Sequence, residues 1–246
     1  MMVKCEDLKK HFLKKAGTVK ALDGVSLEIG KGEVLGLVGE SGCGKTTLGK
    51  ILLGIMKPDS GRVILETKKV QVVFQDPYNS LDPKMKVFDI LAEGLIIRRA
   101  DEIKKQVEGV LDLIKLPKEA LDKYPHQFSG GERQRIAIGR AVLTKPEFIV
   151  CDEPVSSLDV TIQLQILNLL KSIQKKLRLS CLFISHDLKV IKFICDKVAV
   201  MFRGKIVETG TVRDIYTSAA IPYTKALLKS AFYDNIKNNG NGREYL

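Results

Sequence analysis

The stretch Gly39-Glu40-Ser41-Gly42-Cys43-Gly44-Lys45-Thr46-Thr47 has the spacing G-x-x-x-x-G-K-[ST], and it constrains the fold more than any other feature of the chain. Such a loop works only between a buried strand that delivers it and a helix that receives it. Residues 34–38 (Val-Leu-Gly-Leu-Val) supply the strand, and 45–55 read as the helix, stopped by Pro58. The glycines let the backbone curl until successive N–H groups face one phosphate, and the helix adds its positive amino end. Gly39, Ser41, Gly42, Cys43, Gly44, Lys45, Thr46 and Thr47 are therefore the expected phosphate cradle. Lys45 reaches the outer phosphates, and the Thr46 hydroxyl is offered to Mg²⁺.

The rest of the chain continues the pattern. Short apolar runs at 70–74, 148–151 and 181–184 alternate with helical patterns, which predicts an α/β fold with a mainly parallel sheet. Ile162, Ile166, Leu169, Ile173 and Leu177 form the apolar stripe of one helix. Runs 197–202 and 205–208 flank Arg203-Gly204 as a hairpin. Residues 77–140 differ: they predict helices at 87–99 and 101–114, broken at Pro117, as an insertion between two strands. From Asn235 the chain turns polar and rich in asparagine and glycine, so a frayed tail is expected over 235–246.

Composition narrows the partners. Forty basic against 29 acidic residues give a net charge of +11, which suits nucleic acid, a phosphorylated ligand or a membrane surface, or simply a lysine-rich soluble exterior. Five cysteines (Cys5, Cys43, Cys151, Cys181, Cys195) form no CxxC pair, and Cys151 and Cys181 lie in apolar runs, which fits a reducing compartment. The first twenty residues hold six lysines and no signal-peptide core, and no apolar window is long enough to span a bilayer. A role at a membrane therefore needs another chain to carry this one there.

Two further strand ends bear charge. The run 148–151 leads into Asp152-Glu153, which puts Asp152 beside the phosphate loop, within reach of the Mg²⁺ shell, and Glu153 where it can polarise a water. His186 ends the run 181–184 at the same edge. A second Ser-Gly-Gly turn, in Phe128-Ser129-Gly130-Gly131-Glu132-Arg133-Gln134-Arg135, opens another helix and another anion site. One nucleotide does not need two such sites from one chain, whereas two chains facing head to tail do.

In this order the motifs resemble the ATPase subunits of ABC transporters over roughly residues 1–230. The resemblance implies a P-loop fold with a mainly parallel core sheet, a small antiparallel β-subdomain and a helical subdomain. It assigns the cassette to 1–234, with the core at 1–76 and 144–230 and the helical subdomain at 77–143. It implies that Phe12 stacks on adenine, that Gln75 reaches Mg²⁺ and the attacking water, and that Glu153 and His186 are the catalytic carboxylate and switch histidine. Ser129, Gly130, Gly131 and Glu132 would meet the ATP of the opposing subunit, and Ser157-Leu158-Asp159 would cross the dimer interface. Mg²⁺ would be held by Thr46, Gln75 and Asp152, the last through water.

The stretches Gln75-Asp76-Pro77-Tyr78-Asn79-Ser80-Leu81-Asp82-Pro83, 160–167 and 222–228 are similar to importers of peptides and nickel. The implied assembly is a second ATPase subunit (a copy or, by preference, a sister chain), two membrane permeases and, indirectly, an extracytoplasmic solute-binding protein. The implied place is cytoplasmic, on the inner face of the membrane, with ATP and Mg²⁺ as ligands and no nucleic acid. Three departures from the family pattern stand out. Phe128 and Glu132 replace the commoner leucine and glutamine; the segment between Gly61 and Gln75 is short, which questions the small β-subdomain; and no cysteine follows Cys195, so no iron–sulfur cluster is expected. The rival readings are a soluble ABC ATPase acting on nucleic acid or ribosomes, a nonhydrolytic binding module, and an exporter subunit.

Overall fold

The computed structural model describes residues 1–14 and 17–238. In chain order the strands are β1 (Val3–Lys14), β2 (Gly17–Ile29), β3 (Val34–Val38), β4 (Ser60–Leu65), β5 (Val70–Val73), β6 (Phe148–Asp152), β7 (Ser180–Ile184), β8 (Lys197–Phe202) and β9 (Lys205–Thr211). The helices are α1 (Lys45–Leu52), α2 (Pro77–Ser80), α3 (Val87–Ile97), α4 (Ile103–Ile114), α5 (Gly130–Leu143), α6 (Val160–Leu177), α7 (Leu188–Ile194), α8 (Val212–Ser218) and α9 (Pro222–Asn238). The main sheet has the order β5-β6-β7-β3-β8-β9. Its first five strands are parallel and β9 is antiparallel, closing the expected hairpin at Arg203-Gly204. A second sheet, β2-β1-β4, is wholly antiparallel. The short segment after Gly61 thus still completes a three-stranded β-subdomain, with β4 passing to β5 through one brief turn.

Both faces of the parallel sheet are covered, so its strands read as unbroken apolar runs. Leu35, Leu37, Val150, Leu182 and Ile184 face one core, shared with Leu48 and Leu52 of α1 and with Leu8, Leu22 and Ile29 of the antiparallel sheet. Val34, Val38, Cys151 and Phe183 face the other, built with the helices from α3 to α7. The register pairs β3 with β7 on one side and with β8 on the other, and it brings the carboxyl ends of β3, β6 and β7 to a single edge.

The helices between β5 and β6 occupy the span predicted for the insertion. In α4 the buried residues are Val107, Val110, Leu111 and Ile114, one amphipathic stripe. The predicted stripe of α6 holds at Ile166, Leu169 and Ile173, but Leu177 is exposed, because there the helix has reached its left-handed stop at Arg178. Strand β5 ends at Val73, leaving Phe74 exposed rather than inside the sheet. The first four residues of the predicted tail are helical instead: α9 runs through Asn238, continuing the helix opened at Pro222, and 239–246 lie outside the described residues. No helix of the described residues is long and apolar enough to cross a membrane.

Phe183 is fully buried at the centre of the sheet, so Phe183→Ala should cost about 3–5 kcal/mol of stability. Ile97→Ala, at a side chain 77% exposed, should stay within about 0.5 kcal/mol. Urea titration with an unchanged m-value checks both.

Candidate functional site

The chain from β3 to α1 wraps its glycine-rich loop across the carboxyl edge of the sheet. Gly44, with φ 113°, forms the entry to α1. A Cβ on it would lie 2.1 Å from the Ala21 carbonyl oxygen, so only glycine fits that close approach. Lys45 is buried, and its Nζ donates to the carbonyls of Gly39 at 2.7 Å and Glu40 at 2.9 Å, bracing the loop from within. From outside, the Gly204 N–H donates to the Cys43 carbonyl at 3.0 Å. The Tyr223 hydroxyl accepts from the Glu40 N–H at 3.3 Å, while its ring lies 4.2 Å from that of Phe202. Burial pushes the Cys43 thiol above its ordinary pKa, so it stays protonated as a small apolar filler of the loop.

The loop floors a cleft of about 600 Å³ lined by Ser41, Gly42, Gly44, Lys45, Thr46 and Thr47, by Gln75, Glu153 and His186, and at its apolar end by Phe12, Val19 and Ala21. All the cradle residues except Gly39 and Cys43, which sit behind the loop surface, line it directly. Asp152 ends β6, and the Thr46 hydroxyl donates to its Oδ1 at 3.4 Å. Burial raises the Asp152 pKa, and the Thr46 hydroxyl opposes that rise. Hydroxyl and carboxylate converge beside Gln75 in an adjoining hollow, an all-oxygen donor set of the kind Mg²⁺ takes. Thr46, Gln75 and Asp152 therefore fit that ion.

Glu153 follows with φ 49°, a left-handed conformation that costs a non-glycine residue about 1 kcal/mol. Its N–H donates to the Ile184 carbonyl at 3.0 Å, which pins the turn to the next strand. Glu153 Oε2 lies 3.0 Å from His186 Nδ1, so one carboxylate and one imidazole form a pair facing the cleft. A water between such a pair and a bound phosphate can lose a proton to the carboxylate.

Ser129, Gly130, Gly131 and Glu132 do not line this cleft. They open α5 elsewhere, as a reciprocal cap: Glu132 Oε2 accepts from the Ser129 N–H at 2.8 Å and from its hydroxyl at 2.7 Å, and Ser129 Oγ accepts from the Glu132 N–H at 3.3 Å. A Cβ on Gly131 would meet Ile162 at 2.6 Å, so the start of α5 lies directly against α6. Beside them runs the loop Ser157-Leu158-Asp159, whose Leu158 a Cβ on Gly130 would meet at 3.3 Å. Ser157 Oγ donates to the Gln75 carbonyl at 3.2 Å, and Asp159 caps α6 by accepting from the Ile162 N–H at 3.0 Å. The sequence reading missed three such ties. They are Tyr223 to the loop, Arg140 Nη1 to the Ser80 carbonyl at 2.6 Å, and the Arg133 guanidinium 5.3 Å above the Tyr78 ring. Tyr223 lies in the stretch 222–228, Tyr78 and Ser80 in 75–83 and Arg133 in 128–135, whereas Arg140 had no signal. A larger cleft of about 670 Å³ opens at the opposite, amino edge beside Ser180 and Asp196, away from the phosphate loop, so size alone does not locate the chemistry.

A phosphate-loop cleft at the start of α1, with a separate capped Ser-Gly-Gly turn at the start of α5, is the arrangement of one class, the ATP-binding cassette. Residues 22–156 match the sequence family described as "ABC transporter". The chain is 45% identical to the oligopeptide transport ATP-binding protein OppF of Bacillus subtilis, over 93% of this chain and 82% of that one. It is equally identical to the dipeptide transport ATP-binding protein DppF of Haemophilus influenzae, over 91% and 74%. Among solved structures, cbiO1 from Clostridium perfringens, part of the ABC transporter complex cbiONQ, superposes with TM-score 0.79 at 27% identity, covering 97% of this chain and 95% of that one. The dimeric post-hydrolysis cassette MJ0796, bound to ADP and Pi, gives 0.77 at 27% identity, with 86% and 99% covered. The chain belongs to the ABC transporter family, as an ATP-binding subunit.

The cap at α5 carries a pH signature. Hydrogen bonds from Ser129 hold the Glu132 carboxyl below its ordinary pKa of 4.5. Its contribution is therefore complete above that value and lost as pH falls through the lowered folded value. Glu132→Ala should cost about 1 kcal/mol at neutral pH, with the difference closing as pH falls below 4.5. Glu132→Gln should keep most of the cap without that pH dependence. Denaturant titrations across pH 3–7 check this.

Proposed function

We propose that this chain is the ATP-hydrolysing subunit of an importer of peptides, working as a pair of cassettes that closes over ATP beneath two membrane permeases. The observation that carries this is the division of the charged groups. Lys45, Thr46, Gln75, Glu153 and His186 line one cleft, and Asp152 adjoins it, while the capped Ser129-Gly130-Gly131 turn faces elsewhere. A second chain turned head to tail supplies its own turn to this cleft. The transport roles in the names of the OppF and DppF relatives favour peptides over nickel as cargo.

In this reading the loop amides and Lys45 bind the phosphates, Phe12 stacks on adenine, and Thr46, Gln75 and Asp152 hold Mg²⁺. When bound, Mg²⁺ neutralises charge on the outer phosphates. Glu153 takes the proton of the attacking water, and His186 holds the Glu153 carboxylate at 3.0 Å and faces the outer phosphate. Gln75 lies where the nucleotide cleft meets the helices of 77–143, and Ser157 and Arg140 tie that junction to α5 and α6. Closure across the pair thus moves the helical segment as a lever. The groove of the helical segment, near Gln75 to Val87, receives a cytoplasmic segment of the permease, and the subunit works on the inner face of the membrane. The +11 charge fits phosphate handling beside a membrane, and nucleic acid is not needed to account for it.

Glu153→Gln should bind Mg-ATP with near wild-type affinity and lose at least about 100-fold in turnover. Its solution mass should double on adding Mg-ATP if two copies complete the site. Wild-type phosphate release by this variant would remove Glu153 from its role. A variant that binds ATP yet stays monomeric would assign the opposing turn to a sister chain.

A further inference from the structure

Strand β1 carries Phe12 to the cleft, and its two edges are held differently. On one side β2 pairs with it through Lys14. On the other, β4 pairs only as far as Lys9, opposite Ser60, so among the described residues the edge from Lys10 to Phe12 has no strand beside it. The ladder with β2 also shifts register between Lys10 and His11, just before Phe12. A bulge next to an open edge is a poor mount for an aromatic ring that must present a fixed face.

Asp59, the residue just before β4, closes that gap. Its N–H donates to the Lys9 carbonyl at 2.8 Å. Its Oδ2 accepts from the His11 N–H at 2.7 Å, as a carbonyl of a longer β4 would. Its Oδ1 pairs with Lys10 Nζ at 2.6 Å, and that ammonium lies 5.9 Å from the centroid of the Phe12 ring, at the outer range of a cation–π contact. The Lys10 side chain is only 19% exposed, unusual for a lysine at a sheet edge. Three bonds to three consecutive residues thus end at the ring beside Val19 and Ala21 in the cleft.

We propose that Asp59 is a positioning residue for the nucleobase: through the His11 N–H and the Lys10 ammonium it holds Phe12 in the orientation that stacks on a purine. The inference rests on the reading of Phe12 as the base-stacking residue. Stacking uses the π-face that every base has, so the mount governs whether a base is held and does not choose among bases. The phosphates are bound by a different element, α1 and its loop, and do not depend on Asp59.

The test compares binding of Mg-ATP, Mg-GTP and Mg-tripolyphosphate to the full chain by calorimetry, for wild type, Asp59→Ala, Asp59→Asn, Lys10→Met and Phe12→Ala. Asp59→Ala should weaken both nucleotides by roughly 3- to 10-fold, the scale of a lost charged hydrogen bond acting indirectly, and leave tripolyphosphate within about twofold. The KM for ATP should rise by the same factor, with kcat changing far less. Asp59→Asn should recover much of the loss, because its amide oxygen can still accept from the His11 N–H. Lys10→Met keeps the backbone clasp and should give a smaller loss in the same direction, so it tests the idea even if Asp59→Ala folds poorly. Unchanged ATP binding in Asp59→Ala, with weakened binding in Phe12→Ala, overturns the role of Asp59 and leaves the base-stacking reading standing. Unchanged binding in Phe12→Ala overturns both. Equal weakening of ATP and tripolyphosphate by Asp59→Ala marks a general loss of structure and also overturns the proposal.

Discussion

A loop rich enough in glycine to curl around phosphate has no rigidity of its own, and this site depends on the surroundings that supply it. Lys45 holds the loop from the inside through the Gly39 and Glu40 carbonyls. The hairpin of β8 and β9 holds it through Gly204, and α9 holds it through Tyr223. The Ala21 carbonyl on β2 presses so closely on Gly44 that no side chain fits between them. Lys45 from within, with the β8–β9 hairpin, α9 and β2 from outside, thus converts a flexible segment into a row of fixed N–H donors. Donors arranged before the ligand arrives need little reorganisation when it binds.

The second constraint is electrostatic. Asp152, Glu153 and His186 approach one another because β6, β7 and β3 are parallel neighbours, so their charged ends share an edge. Burial opposes the ionised form of Asp152, and a divalent cation is the natural counter-charge for it. Glu153 sits in a left-handed turn held by the Ile184 carbonyl. That local strain aims its carboxylate into the cleft instead of along the strand. The same edge is wired to the helices: Ser157 bonds the backbone at Gln75, and α5 lies on the loop that carries Ser157. Gln75 adjoins both the nucleotide cleft and the hollow beside Ser80.

Much of this was legible in the chain itself. The phosphate loop, the acids at the end of β6 and the histidine after β7 each stand where an apolar run gives way to polar residues, and fully buried strands announce themselves as such runs. The amphipathic stripes of α4 and α6 follow from their period. The places where the reading slipped are element ends. Leu177 fits the period but lies past the edge of what α6 covers, Phe74 follows its strand instead of extending it, and Asn235 to Asn238 remain helical although their composition suits a tail. Ends are decided by what lies next to them in space, and a local pattern does not contain that.

Residue type and local spacing already set the chemical inventory: which residues can cradle a phosphate, carry a metal-facing charge or cap a second helix start. These depend on residue type and on spacing within a few positions, because backbone curvature and helix polarity are local. How that inventory is held and divided follows from the packing of the whole fold. The tie from Tyr223 to Glu40 spans 183 residues, and that from Asp59 to His11 spans 48. Both arise from the order in which strands assemble into sheets, with β3 inserted between β7 and β8 and β1 between β2 and β4. That order is set by the joint burial of many side chains, so no single stretch of the chain encodes it.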